Sequence, residues 1–336
     1  MRALVRVPGG VQVAAQPDPV AGPEDVVVAV HSCGICGSDV HAAEASNGHA
    51  HGIPGHEFAG TVVEVGHDVA GWRIGQAVAV NPLGSCGVCE WCRREMLIRC
   101  TGRPNLGLGA PGGFAEYVAA RHSQLFALPE SLPVEYGSRV EPLAVGLRAI
   151  AEAGAPSGCN AIVFGVGPIG LHLIQGLRAL GAGQIIAVGR SSAGRRVAAG
   201  RVGADVVLDS READVADYVR EHGIEIAQAY ECSADPQALV VLTRAVRAAG
   251  TIVAVALGRA PAAFDEHSFV GKGQRMFGAC AYGNRDFAKA LELIAMGKVN
   301  VEPLITERVP LDEGPEAFVR LRHPGDLVSV LVQPFR

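Results

Sequence analysis

Four cysteines within fifteen residues, Cys86, Cys89, Cys92 and Cys100, constrain this chain more than any other feature. Their spacing, C-x2-C-x2-C-x7-C in GSCGVCEWCRREMLIRC, wraps one short loop around a single point. Four thiolates with no open position make a closed tetrahedral site, the arrangement zinc takes in structural roles. The loop is polar and charged and has little core of its own, so a bound metal fixes its shape. Residues 86–100 therefore read as a lobe attached to something larger.

The something larger has room for two cores, because 336 residues exceed one ordinary domain. Hydrophobic residues make up 49% and charged residues 19%, which excludes a disordered chain. A net charge of −5 argues against nucleic acid or an anionic membrane as partner. The opening MRALVRVPGG has no apolar run of the signal-peptide kind, and cysteines in metal spacing must be reduced, so a cytoplasmic location is expected. Cys33, Cys159, Cys232 and Cys280 lie outside the metal spacing and read as structural residues, the last three as small buried core positions. The uncharged stretch from Gly154 to Leu177 holds six glycines and two prolines, so it reads as strand, turn and helix and not as a membrane span.

Two patterns succeed one another along the chain. Up to about residue 120, short β-branched or alternating runs (MRALVRV, DVVVAVHSCGIC, FAGTVVEVG, QAVAVNP, GFAEYVAA) are separated by turn residues. From PLAVGLRAIAEAG onward, helices alternate with apolar strands, including a helix over PQALVVLTRAVRAAG, which predicts a doubly wound parallel sheet. The expected architecture is α/β: a β-rich domain over 1–145, a dinucleotide-binding domain over 146–284, and a tail, 285–336, returning to the first.

Gly165, Gly167 and Gly170, with Val166, Pro168 and Ile169 between them, form G-x-G-x-x-G directly after an apolar strand and at the head of a helix. The three glycines permit the tight turn, the approach of a pyrophosphate, and helix-on-strand packing. The helix N-terminus then offers free N–H groups to the phosphates. At the end of the next strand, where a carboxylate would bind the ribose of NAD, stands Gly189, followed by Arg190, Ser191 and Ser192, with Arg195 and Arg196 close by. Glycine leaves room for a 2′-phosphate and arginine can pair with it, so NADP(H) is expected over NAD(H).

Cys36 in CGICGSDVH and the pair His56–Glu57 in PGHEFAG supply sulfur, nitrogen and oxygen, the ligand kinds zinc accepts. These segments, the four-cysteine lobe and VFGVGPIG, in this order and spanning essentially the whole chain, resemble the zinc-dependent medium-chain alcohol dehydrogenase superfamily. The resemblance implies a GroES-like β domain, a Rossmann domain, and a cleft holding zinc, nicotinamide and substrate. It implies two zinc ions per chain and makes Cys36 and His56 ligands of the catalytic one. Glu57 matches an acid that is a direct ligand or an outer partner. Glu141 in RVEPLAVG stands where simple alcohol dehydrogenases carry a cysteine, and resembles the sorbitol, polyol and aminocyclitol branch, in which the glutamate meets zinc directly or through water. Ser38 matches the hydroxyl that takes the alcohol proton, His41 a histidine that passes it to solvent, and Asp39 an anchor behind the metal.

The implied function is hydride transfer between NADP(H) and a secondary alcohol or ketone of a small polar substrate: a polyol, a sugar or an aminocyclitol. A threonine-type amino-alcohol dehydrogenase is an alternative, though CGSDVHAAEASNGHAHG does not closely match that branch. A non-catalytic nucleotide-binding relative is the alternative from another class, and it would have lost Cys36 or His56. His49 and His51, just before the GHE motif, are read as lining the substrate mouth, as binding adventitious metal, or as a solvated loop. Members of this superfamily are dimers or tetramers, so a homo-oligomer is expected.

Overall fold

The computed structural model of the chain describes residues 1–44, 52–190, 192–258 and 260–336; His49, His51 and Ser191 lie outside the described residues. In chain order it begins with β1 (Arg2–Val7), β2 (Gly10–Ala15), β3 (Asp25–Gly34), α1 (Gly37–Glu44), β4 (Glu57–Val65) and β5 (Ala77–Val80). The cysteine lobe carries a single helical turn, α2 (Glu90–Arg93), and is followed by β6 (Tyr117–Arg121), β7 (Leu125–Ala127), a 3-10 turn over Val134–Arg139 and α3 (Val140–Ala153). Then strand and helix alternate: β8 (Asn160–Phe164), α4 (Pro168–Ala179), β9 (Ile185–Gly189), α5 (Ala193–Arg201), β10 (Val206–Asp209), α6 (Val215–Glu221), β11 (Ile226–Glu231), α7 (Ala238–Ala245), β12 (Val246–Ala254), α8 (Glu266–Gly271) and β13 (Arg275–Gly278). The chain closes with α9 (Asn284–Ala295), β14 (Ile305–Pro310), α10 (Gly314–Arg320) and β15 (Ser329–Gln333).

These elements gather into two units. The first joins 1–141, 283–296 and 305–336; the second joins 142–282 and 297–304. In the first, β14-β15-β3-β4-β5-β7 form one sheet, with β6 also pairing β3. β3 is its centre, and Val26, Val27, Val28 and Val30 are all buried. Its pairing with β4 shifts register twice, between Val27 and Val28 and between Val30 and Ser32. Such irregularities bend a strand and re-aim the residues beyond the bend, here Gly34 and Cys36.

The second unit is a six-stranded parallel sheet in the order β10-β9-β8-β11-β12-β13. Counted from β8, that is the 3-2-1-4-5-6 order of a Rossmann fold, with its reversal point at β8. Ile162, Ile186, Val188, Ala229 and Ile252 form the core under the helices. Asn300 joins this unit through its N–H, which donates to Gln175 Oε1 at 2.8 Å.

Two expectations are corrected. The helix read over PQALVVLTRAVRAAG stops at Ala245, and Val246 already begins β12. Carbonyls at the helix end are taken up by side chains: Lys272 Nζ donates to Thr243, Arg244 and Val246 at 3.1, 2.6 and 2.9 Å, and Gln274 Nε2 donates to Thr243 and Val246. Ala249, at φ 55°, marks the irregular passage into the paired part of the strand. Of the three cysteines read as buried core residues, Cys159 and Cys232 are only half-buried, and Cys280 is exposed, because it comes just after an edge strand whose own side chains are largely exposed.

Candidate active site and metal centres

The end of β3, the start of β4 and the first turn of α1 converge on one point. Cys36 lies just beyond β3, and its carbonyl accepts from the N–H groups of Asp39 and Val40, which starts α1. Gly55, immediately before His56, holds φ 101°, and a Cβ there would meet Cys33 Sγ and Phe114 at 2.8 Å. Glycine is therefore required both for the turn and for the packing beneath it. Beyond it, ligand atoms of Cys36, His56 and Glu57 all lie within 4.8 Å of one another.

The surroundings explain why this cluster suits a divalent cation. His56 and Glu57 are buried, and Asp39 is 1% exposed. Asp39 Oδ1 sits 3.5 Å from His56 Nδ1, leaving the other ring nitrogen for a metal, and Asp39 Oδ2 accepts from the Cys36 N–H at 3.3 Å. Burial pushes the Cys36 thiol up and Glu57 adds to it, while His56 opposes. Burial works against a charged His56, but Asp39 and Cys36 outweigh it and hold the imidazole well above its ordinary value. So much negative potential in a buried place is neutralised by protons or by a cation, and the donor set S, N, O is one zinc accepts.

In the lobe, Cys86, Cys89, Cys92 and Cys100 also lie within 4.8 Å of one another. Four sulfurs about 2.3 Å from a tetrahedral zinc stand about 3.8 Å apart. The observed Cys89–Cys92 and Cys86–Cys92 separations, 3.5 and 3.9 Å, match that edge. Backbone N–H groups of Val88 and Cys89 hold the Cys86 thiol down to about 6, which favours the thiolate. Glu95, in the left-handed region at φ 56°, points out of the lobe, and its Oε2 accepts from the Asn284 N–H at the head of α9 at 2.7 Å.

At the other site, Gly165 comes directly after β8 with φ 116°, and a Cβ there would meet the Cys232 carbonyl carbon at 2.7 Å. A Cβ on Gly170 would fall on the Gly165 carbonyl, so the helix can lie this close only through glycine. Gly167 caps α4, Pro168 opens it, and a Cβ on Gly167 would meet nothing within 4 Å. That open space beside unpaired helix N–H groups fits a pyrophosphate.

Residues 22–130 match the alcohol dehydrogenase GroES-like domain and residues 168–296 the zinc-binding dehydrogenase family. A sorbitol dehydrogenase from Halalkalibacterium halodurans is 32% identical over 345 residues, 99% of each chain. A putative zinc-binding dehydrogenase from Sinorhizobium meliloti, bound to NADP, superimposes with a TM-score of 0.91 at 29% identity, covering 99% of both chains. A short chain alcohol dehydrogenase from E. coli CFT073, complexed with NADH, superimposes with a TM-score of 0.93 at 26% identity, again over 99% of both. The chain belongs to the zinc-dependent medium-chain alcohol dehydrogenases. It is a zinc-dependent, nicotinamide-linked enzyme with a catalytic and a structural zinc site. Among the described residues, no helix of this dehydrogenase is long and apolar enough to cross a membrane.

Within the dehydrogenase, Ser38 and His41 lie one turn apart on α1 and both are exposed. His41 Nδ1 is 3.6 Å from Glu44 Oε2. Glu141 is buried in the first turn of α3 and is not one of the three residues clustered at the metal position. The Cys232 thiol is raised by burial, as a packed side chain would be.

Sequence reasoning missed Arg139. It is 1% exposed, and its Nη2 donates to Glu57 Oε2 at 2.6 Å. It also missed Asp209, at the end of β10, which pairs with Arg196 at 3.1 Å and with Arg211 through two bonds. Arg211 and its own N–H, with Arg196 behind them, hold the Asp209 carboxyl well below the usual carboxylate range. The stem of Arg196 crosses Gly189, where a Cβ would come 2.9 Å from Arg196 Cγ and 2.5 Å from Val166 Cγ2. Arg190 reaches Asp235 at 3.0 Å, and the Arg195 N–H donates to Ser192 Oγ at 3.0 Å.

Proposed function

We propose that this dehydrogenase moves hydride between NADP(H) and a secondary alcohol or ketone on a small polar substrate: a polyol, a sugar or an aminocyclitol. The observation that carries the reaction class is the cluster of half-buried Cys36 with buried His56 and Glu57, with Asp39 behind His56. In this reading those three hold the catalytic zinc, Glu141 stands by as a fourth group, and Cys86, Cys89, Cys92 and Cys100 hold the structural zinc. A zinc held there would supply a Lewis acid that favours the deprotonated alcohol, and a bound nicotinamide would supply the hydride acceptor. Ser38 Oγ takes the substrate's hydroxyl proton as it gives up its own, and His41, one turn further along α1, passes that proton to solvent. Gly165, Val166, Gly167, Pro168, Ile169 and Gly170 carry the pyrophosphate at the head of α4.

The preference for NADP(H) rests on the end of β9. A Cβ at Gly189 would meet Val166 and the Arg196 stem, and Arg190, next in the chain, and Arg196 are held by Asp235 and Asp209. Cationic side chains there suit a 2′-phosphate, with Ser191 and Arg195 in the same turn. The substrate class is supported by the sorbitol dehydrogenase relative and by Glu141 in place of a cysteine. The reading includes a dimer or tetramer, which light scattering of the purified protein would report. Steady-state kinetics on sorbitol, other polyols and aminocyclitols, each with NADP⁺ and NAD⁺, test the rest. A higher kcat/KM with NADP⁺ on at least one of these alcohols is expected. A clear NAD⁺ advantage would refute the cofactor assignment, and turnover confined to simple primary alcohols would refute the substrate class.

A further inference from the structure

Arg139 is among the largest fully buried side chains in the molecule, and its position is costly unless every charge is met. It sits at the end of the 3-10 turn that leads into α3, and its guanidinium reaches three groups. Nη2 donates to Glu57 Oε2 at 2.6 Å, Nη1 to Ser329 Oγ on β15, and Nε to Ser138 Oγ at 3.4 Å. Room for it is cut from the backbone. Gly34 pairs with Glu57 on one side and Leu331 on the other, and a Cβ there would fall on Arg139 Nη2. Of these three partners only Glu57 carries a charge. Glu57 has a second option, because its carboxylate also belongs to the cluster with Cys36 and His56.

We propose that Arg139 is a positioning residue that competes with the catalytic metal for Glu57. It holds Oε2 and leaves Oε1 as the one oxygen free to face the cation. This inference rests on the metal reading of the cluster given above. With Arg139 in place, part of the Glu57 charge is spent on the guanidinium, and the cation beside Cys36 and His56 stays less neutralised. Without Arg139, a buried carboxylate would have no partner except the metal, and both oxygens would turn to it. An arginine whose role is only to stabilise the sheet makes the opposite prediction: its loss loosens the site and weakens metal binding.

The test uses the full-length holoprotein with Zn²⁺ or Co²⁺ as probe. Metal release into pyridylazoresorcinol is timed for wild type and Arg139→Met, and the visible bands of the cobalt-loaded proteins are recorded. Cys36→Ala, loaded only at the four-cysteine lobe, serves as the spectral blank. Expected for Arg139→Met is release from the catalytic position slower by about tenfold or more, with cobalt bands weakened as the coordination number rises. Arg139→Lys keeps the charge but loses the fork, so both readouts move the same way by a smaller factor. It is the variant to read if the methionine protein does not fold. In a Glu57→Gln background, Arg139→Met is expected to leave release unchanged. Faster or unchanged release from Arg139→Met and Arg139→Lys, with unaltered bands, would overturn the proposal while leaving the metal reading intact. Wild-type protein that takes up metal only in the lobe would sink the metal reading itself and this inference with it.

Discussion

At Gly34 the absence of a side chain lets the Arg139 guanidinium lie against the β3 backbone beside Glu57. Gly34→Ala would place a methyl group on that guanidinium and break a buried ion pair, with an expected loss of about 3 kcal/mol or more, read from urea unfolding of the zinc-loaded protein. At Gly189 the same argument concerns the cofactor. Gly189→Asp would set a carboxylate against the Arg196 stem and beside the expected 2′-phosphate. The kcat/KM for NADP⁺ should fall by about tenfold or more, and a value unchanged from wild type would count against the assignment. The two ligand clusters, Cys36 with His56 and Glu57 and the four cysteines of the lobe, were legible in the sequence because few residue types suit zinc and their spacing is short, whereas Glu141 lies outside the first of them. Arg139 was not, because an arginine in GSRVEPL carries no mark of burial, and its partners are 82 and 190 positions away.

Among the elements, the cysteine lobe and α9 act together. Glu95 leaves the lobe in a left-handed conformation and accepts from the first N–H of α9, where Gly283 supplies the cap position. Its carboxylate thus serves one of the unsatisfied donors of that helix end. Glu95→Ala should cost about 1 kcal/mol, measured by thermal unfolding. Stripping zinc from the lobe should also raise amide exchange in the first turn of α9, while leaving α4 protected. Exchange that stays flat there after chelation would show that the lobe keeps its shape without metal. Strand and helix alternation made the Rossmann unit readable, since apolar runs and Gly-rich turns repeat through it. The boundary between α7 and β12 was not readable. It is set by Lys272 and Gln274, which arrive from far down the chain to take the last carbonyls. α1 was missed as a helix because GSDVHAAE is short and polar, with a turn started by backbone bonds to Cys36.

Across the whole molecule, a clasp between distant segments gives the first unit a pH-dependent contribution to stability. Glu135, in the turn before α3, accepts two bonds from Arg308 on β14, at 3.0 and 2.8 Å, and a third from Gln333 on β15. The Arg308 bonds hold the Glu135 carboxyl below its ordinary value of 4.5, against the opposing effect of burial. A depressed carboxyl contributes its stability above the unfolded-state value and loses it as pH falls through the lower folded value. Glu135→Gln should therefore lower Tm at neutral pH and flatten the decline of Tm between about pH 6 and pH 3. A decline as steep as in wild type would place the acid sensitivity elsewhere. The tail's apolar run LVSVLVQP signalled a strand, but the strand beside which it would lie could not be read from the run itself.

β15 comes after the entire nucleotide-binding sheet in chain order, yet it lies against β3 and brings Ser329 to Arg139. During synthesis, then, the Rossmann sheet can close while the metal-bearing sheet still waits for its final members. An emerging polypeptide would hold Cys36, His56 and Glu57 early and their full support only late.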